Sequence, residues 1–135
     1  MADDTITFEL ASPEALLVSA DVEMVVVPGA EGDFGVLPGH APFISTVRPG
    51  TIEIYQGGKV ERRIFVSDGF AEVSARRCTV LSSEAYPLES LERGDVEARL
   101  RAAEEALSDA EGDDQRTAAQ ADIAICRAAL AALGQ

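Results

Sequence analysis

Apolar and polar residues alternate along Thr5-Ile6-Thr7-Phe8-Glu9-Leu10, which sets Ile6, Phe8 and Leu10 on one face of a strand. Ser12-Pro13-Glu14 interrupts the run, and residues 16–20 and 22–27 follow as two more β segments. The second is rich enough in β-branched residues to be covered on both faces. Further strands are expected over 43–47, 51–56, 60–66, 69–74 and 77–82. Gly57-Gly58 supplies a two-residue hairpin turn between two of them, and Ser67-Asp68-Gly69 another turn. Short strands at this spacing predict an antiparallel β-sandwich, or flattened barrel, over residues 1–86.

Past Pro87 the period changes from two to that of a helix. Val96, Leu100, Ala103 and Leu107 form one stripe, and Ala119, Ile123, Cys126, Leu130 and Leu133 form a second. Asp95 is placed to cap the first helix, and Gly112-Asp113-Asp114 separates the two. So short a link predicts an antiparallel α-helical hairpin over 87–135. Each helix is short and alanine-rich, so the pair must lean on the sandwich or on a partner.

Composition narrows the picture. Of 135 residues 47% are hydrophobic but only 5% aromatic, with no Trp, so the core of this soluble globular protein rests on Val, Ile, Leu and Ala. The net charge of −13 with a single Lys leaves no cationic surface for nucleic acid or for acidic lipid. Cys78 and Cys126 lie in a strand-like and a helix-like run without a second metal ligand nearby, and are read as two buried, reduced thiols. Met1-Ala2-Asp3-Asp4 has no basic or apolar targeting character, and no apolar run approaches the ~20 residues of a membrane helix, so the expected compartment is the cytoplasm.

The stretch between strands at 28–42 carries the densest information: Pro28-Gly29-Ala30-Glu31-Gly32-Asp33-Phe34-Gly35-Val36-Leu37-Pro38-Gly39-His40-Ala41-Pro42, with Arg48-Pro49-Gly50 beyond one more apolar run. Its glycines and prolines exclude a helix, and the spacing of Gly29, Gly32 and Gly35 predicts an ordered loop with repeated turns at positive φ. It is not a phosphate loop: no Gly-Lys-Ser/Thr follows, and Glu31 and Asp33 would repel a phosphate. His40 is the only histidine and no Gly-x-Ser-x-Gly accompanies it, which favours a structural or interface role over nucleophilic catalysis. Glu31 and Asp33 differ from the many other acids in being held out at fixed places on a stiff segment.

The run Pro-Gly-x-x-Gly-x-x-Gly-x-x-Pro-Gly-His-Ala-Pro, the opening Phe8-Glu9-Leu10-Ala11-Ser12-Pro13 and the alanine-rich end together resemble the epsilon subunits of bacterial F-type ATP synthases. The resemblance implies a β-sandwich followed by a helical hairpin, in a non-catalytic rotor subunit that needs no cofactor. It implies that the sandwich binds the gamma subunit and the membrane rotor ring of c subunits, and that the hairpin regulates, reaching alpha and beta subunits. Asp33 would face the polar loops of the ring, with Glu31, Gly35, Gly39, His40 and Pro42 in the same contact region. The implied place is the cytoplasmic face of the bacterial inner membrane. The family's ATP-binding motif, Ile/Leu-Asp-x-x-Arg-Ala, aligns with Leu91, Glu92, Arg93, Gly94, Asp95 and Val96. Asp95 replaces the arginine that would meet phosphate, so an ATP site is not carried over. On the residues alone two rivals stay open. One is a free-standing β-sandwich adaptor, and the other a small enzyme with a carboxylate site on the glycine segment.

Overall fold

The computed structural model describes residues 4–134; Met1, Ala2 and Asp3, on which the reading of the N-terminus rests, lie outside the described residues, as does Gln135. The strands are β1 (Ile6–Ala11), β2 (Leu16–Val22), β3 (Met24–Gly29), β4 (Gly32–Val36), β5 (Phe43–Val47), β6 (Gly50–Gln56), β7 (Lys59–Val66), β8 (Gly69–Val73), β9 (Arg77–Ser82) and β10 (Ala85–Pro87). A 3-10 turn at Leu88–Ser90 leads into α1 (Arg93–Ser108) and α2 (Asp113–Leu133). The strands form one curled sheet in the order β10-β7-β6-β3-β5-β8-β9-β1-β2, with β4 hydrogen-bonded to β3 beside that path. Distant parts of this order meet where Gln56 Nε2 donates to Asp21 O at 2.9 Å, at the C-terminal ends of β6 and β2.

Alternation does what it predicts in β1, where Ile6, Phe8 and Leu10 are wholly buried. Ile52, Ile54, Val66, Val73 and Val80 meet them from other strands, so one aliphatic core fills the barrel. Every strand pair is antiparallel except β1 with β9, which run parallel from Thr7 opposite Arg77 to Ala11 opposite Leu81. The expected antiparallel sandwich holds except at that pair, where β1 joins the curled sheet beside a much later strand.

The glycine segment is not a chain of turns. Phe34 and Val36 pack inward at strand period, and β4 pairs with β3 from Val36 opposite Val25 to Gly32 opposite Gly29. Of its glycines only Gly32 (φ +138°) and Gly39 (φ +86°) adopt positive φ; Gly29 and Gly35 sit in strand backbone, so the expectation of repeated positive-φ turns fails there. Gly29 is required for another reason: a Cβ on it would lie 2.7 Å from Gly32 O and 2.9 Å from the Phe34 ring.

The helices form as their stripes predict, but they start earlier. Glu92, not Asp95, is the N-cap of α1, with extended backbone, and Asp95 stands in the first turn, where its charge favours the positive end of the helix dipole. Asp113 and Asp114 likewise belong to the first turn of α2, behind Gly112 at φ +103°. The hairpin lies against the outer side of β6 and β7. There Phe65, Val96, Cys126 and Ala129 make a second buried cluster, rimmed by Leu88, Leu91, Leu100, Leu130 and Leu133. Val96 points into this seam, and this half of the sheet is covered by helix.

Candidate functional site

At the tip of the β3–β4 hairpin Glu31 stands exposed in the turn, and Asp33 follows it in β4. Arg48, just past β5, reaches Asp33 Oδ1 from Nη2 at 2.6 Å and donates from Nη1 to Gly29 O. Backbone bonds fasten the same corner, Ala30 N to Thr46 O at 3.0 Å and Arg48 N to Pro28 O at 2.9 Å. An exposed ion pair of this kind adds under about 1 kcal/mol. Its work is to orient the Asp33 carboxylate on a framework fixed by the main chain. The last turns of α2 approach this corner: Ala128, Ala131 and Ala132 line a cleft of about 300 Å³ with Asp33, Arg48 and Glu53.

Gly39, His40 and Pro42 occupy the β4–β5 loop at the other end of β5. Gly39 N donates to Ala75 O at 2.7 Å, and its positive φ turns the chain so that this bond forms. His40 Nδ1 is 2.8 Å from Ala41 O, which fixes the tautomer with the proton on Nδ1. Its ring lies 5.1 Å from that of Phe43, which meets Phe34 edge-on at 5.0 Å. The acids and the histidine are thus separated by the length of β5, about 13 Å at ~3.3 Å per residue. That is too far for an acid–base pair working on one bond. Gly35 lies between them in β4, opposite Val26.

A feature the motif reading missed lies on the outer side of the strands that the hairpin leaves bare. Phe70 on β8 is directly opposite Thr46 on β5 and Leu81 on β9, Leu81 is opposite Ala11, and Ala11 is opposite Leu16. Ile44, Phe70, Leu81 and Leu16 keep 71%, 60%, 53% and 60% of their surfaces exposed. The signal was in the parity of the strands. Once Ala71 and Val73, and Cys78 and Val80, are assigned inward, Phe70 and Leu81 must point outward, where a lone monomer would carry polar residues. Glu72 and the Arg77–Glu9 ion pair border the patch.

The residues aligned with the nucleotide motif serve packing and helix initiation here. Leu91 and Val96 enter the seam, Glu92 O accepts from Val96 N at 3.1 Å, and Asp95 is exposed in the first turn. Arg93 lies within this stretch, exposed at the start of α1, and the next cation along the helix, Arg99, is already engaged. Its Nη1 and Nη2 donate to Glu84 Oε1 and Oε2, both at 2.9 Å, and its Nε donates to Asp122 Oδ1 at 3.1 Å. Those bonds hold the Glu84 carboxyl below the usual carboxylate range and the Arg99 guanidinium firmly charged.

Residues 5–88 match the family model described as ATP synthase, Delta/Epsilon chain, beta-sandwich domain. The chain belongs to that family. Over 129 residues, 96% of each chain, it is 57% identical to the ATP synthase epsilon chain of Rhodospirillum rubrum. Over 130 residues, 96% of this chain and 98% of the relative, it is 53% identical to the ATP synthase epsilon chain of Paramagnetospirillum magneticum. It also resembles a chain in the cryo-EM structure of the Euglena gracilis mitochondrial ATP synthase OSCP/F1/c-ring. The TM-score is 0.80 at 27% identity, over 96% of this chain and 82% of that one. As an ATP synthase Delta/Epsilon chain the molecule has its family match over the sheet and the following 3-10 turn's first residue, while the epsilon-chain relatives extend the likeness through both helices.

Proposed function

We propose that this chain is the epsilon-type subunit of the rotor stalk of an F-type ATP synthase, where it fastens the gamma subunit to the ring of c subunits and performs no catalysis itself. The observation that carries the finer reading is the bare apolar row of Phe70, Leu81 and Leu16, with exposed Ile44 diagonal to Phe70 toward the His40 end of β5. It suits a broad, dry contact with gamma, because an exposed apolar row with a charged rim has the anatomy of a protein interface. Residues Glu31, Asp33, Gly35, Gly39, His40 and Pro42 form the stiff edge that would meet the polar loops of the ring. Torque transfer asks for rigidity, and the main-chain bonds at Ala30, Gly39 and Arg48 supply it.

In this reading the sheet, residues 1–86, is the coupling part and residues 87–135 are the regulatory part, with alpha and beta subunits as its partners. The protein would sit at the cytoplasmic face of the bacterial inner membrane, held there by the complex; among the described residues no helix is long and apolar enough to cross a membrane. ATP would bind weakly or not at all, since Asp95 is an anion where phosphate would need a cation. The test is recovery from cells. A tagged copy of the chain should co-purify with alpha, beta and gamma subunits and the c ring, and recovery without them would overturn the proposal.

A further inference from the structure

We propose that Arg99 is an ionic clamp that holds the helical hairpin against the sheet, and that loss of this one guanidinium releases the hairpin as a unit while the barrel stays folded. This goes beyond the rotor reading and does not depend on it, because it is tested on the isolated chain.

The clamp joins three parts of the fold. Arg99 belongs to α1, Asp122 to α2, and Glu84 to the turn between β9 and β10. Among the described residues, the ion pairs of the hairpin are those of Arg99, Arg116 with Asp113, and Arg127 with Glu104; only Arg99 reaches the sheet. Its acceptor there is held by the sheet's own groups. Glu84 N donates to Ser67 Oγ at 3.0 Å, Ser82 Oγ donates to Glu84 O at 2.8 Å, and Tyr86 OH donates to Glu84 Oε1 at 2.7 Å. Ser67 and Ser82 are both buried. A carboxylate fixed this way meets the planar fork of an arginine with little further loss of freedom.

The surroundings make that one cation decisive. Residues 88–135 carry five Arg against eleven acids, a net −6, and residues 1–87 carry the remaining six basic against thirteen acidic residues, a net −7. Two bodies of like charge repel, so their general fields oppose docking. What favours it is the small apolar seam around Phe65, Val96, Cys126 and Ala129, and the point at which Arg99 reverses the sign. Remove the guanidinium and Glu84 faces Asp122 across the space it filled, adding local repulsion between two carboxylates.

The two cysteines report the outcome without any label being engineered. Cys126 lies in the seam at 1% exposure, and Cys78 lies in the barrel core at 0%. Hairpin release uncovers the first and global unfolding is needed to uncover the second. The experiment follows reaction of the full-length chain with excess Ellman's reagent at mildly alkaline pH, assigning each cysteine by mass spectrometry. Arg99→Met, which keeps the length of the side chain, and Glu84→Gln, which keeps the sheet side intact, should each speed Cys126 labelling about tenfold or more, with Cys78 remaining as slow as in the unsubstituted chain. Arg99→Lys should fall between the unsubstituted chain and Arg99→Met, since one ammonium cannot serve both carboxylates as a fork does. Unchanged Cys126 labelling in both Arg99→Met and Glu84→Gln would overturn the proposal. So would labelling of Cys78 in step with Cys126 in both, because the cluster would then stabilise the whole molecule rather than clamp one part to another.

Discussion

Phe70 offers a sharp test of the bare face, because its loss should be felt by a partner and not by the fold. A phenylalanine side chain carries on the order of 200 Å². With 60% of Phe70 exposed, a partner can cover about 120 Å², a gross gain of ~3 kcal/mol at ~25 cal/mol per Å². Ordering and desolvation at the interface take back part of that. Phe70→Ala should therefore weaken binding of gamma by about 1–2 kcal/mol, roughly five- to thirtyfold. Stability of the isolated chain should stay within about 0.5 kcal/mol, as for other exposed positions. Phe65→Ala is the control, since Phe65 is 1% exposed beneath the helices and its truncation should cost about 3 kcal/mol. Titration of purified gamma by calorimetry, alongside thermal unfolding of each variant, reads both quantities. If Phe70→Ala and Leu81→Ala both bind gamma within twofold of the unsubstituted chain while their Tm values are unchanged, this face is not the gamma contact.

Acid should loosen the hairpin before the barrel. The bonds from Arg99 hold Glu84 below its ordinary value, so its contribution is full above the free carboxylate range near ~4.3 and is lost as pH falls through the lower value in the folded chain. Amide exchange between about pH 5 and pH 3 should show α2 losing protection while β1 and β9 keep theirs, and in Glu84→Gln that loss should already be present at pH 5, with its dependence on pH gone. Gly39→Val should destabilise by about 1–2 kcal/mol because its φ is +86°. Gly35→Ala should be nearly neutral, since its Cβ would meet only Met24 Sδ at 3.6 Å; denaturant melts of both variants check the contrast. Finally, ATP hydrolysis by the assembled complex should rise less than severalfold when the chain is cut after residue 87. The resemblance implies that a raised hairpin meets an acidic segment of the beta subunit, for which a hairpin of net −6 is a poor match, and a larger rise at low and moderate salt would contradict this.

What could be read locally was read well. Ile6, Phe8 and Leu10 announce β1 by alternation, Gly57-Gly58 announces the β6–β7 hairpin, and the spacing of Ile123, Cys126 and Leu130 announces α2. Strand β4 was hidden because glycine is a strong signal for turns, and at Gly35 that signal lost to the pairing of Phe34 and Val36 with β3. The parallel pairing of β1 with β9 left no mark in either strand, since a strand's own residues do not name its neighbour. The Arg99 cluster was invisible for the same reason: its carboxylates lie 15 and 23 residues away in the chain. Asp33 was singled out, but its partner Arg48, 15 residues on, follows only from the closeness of β3 to β5.

The parallel seam sets the order in which the molecule can be made. Phe8 pairs with Cys78, 70 positions later, so β1 has no partner on that side until those 70 residues have been made. At ~5–20 residues per second that wait is about 4–14 s. During it β1 has only β2 beside it, and the apolar side chains of both stand uncovered. Closing so long a loop comes late, as it does in other folds dominated by distant contacts. The helices need no such wait. They form locally, and Glu84 precedes them in the chain, so the acceptor on the sheet is synthesised before the guanidinium that binds it.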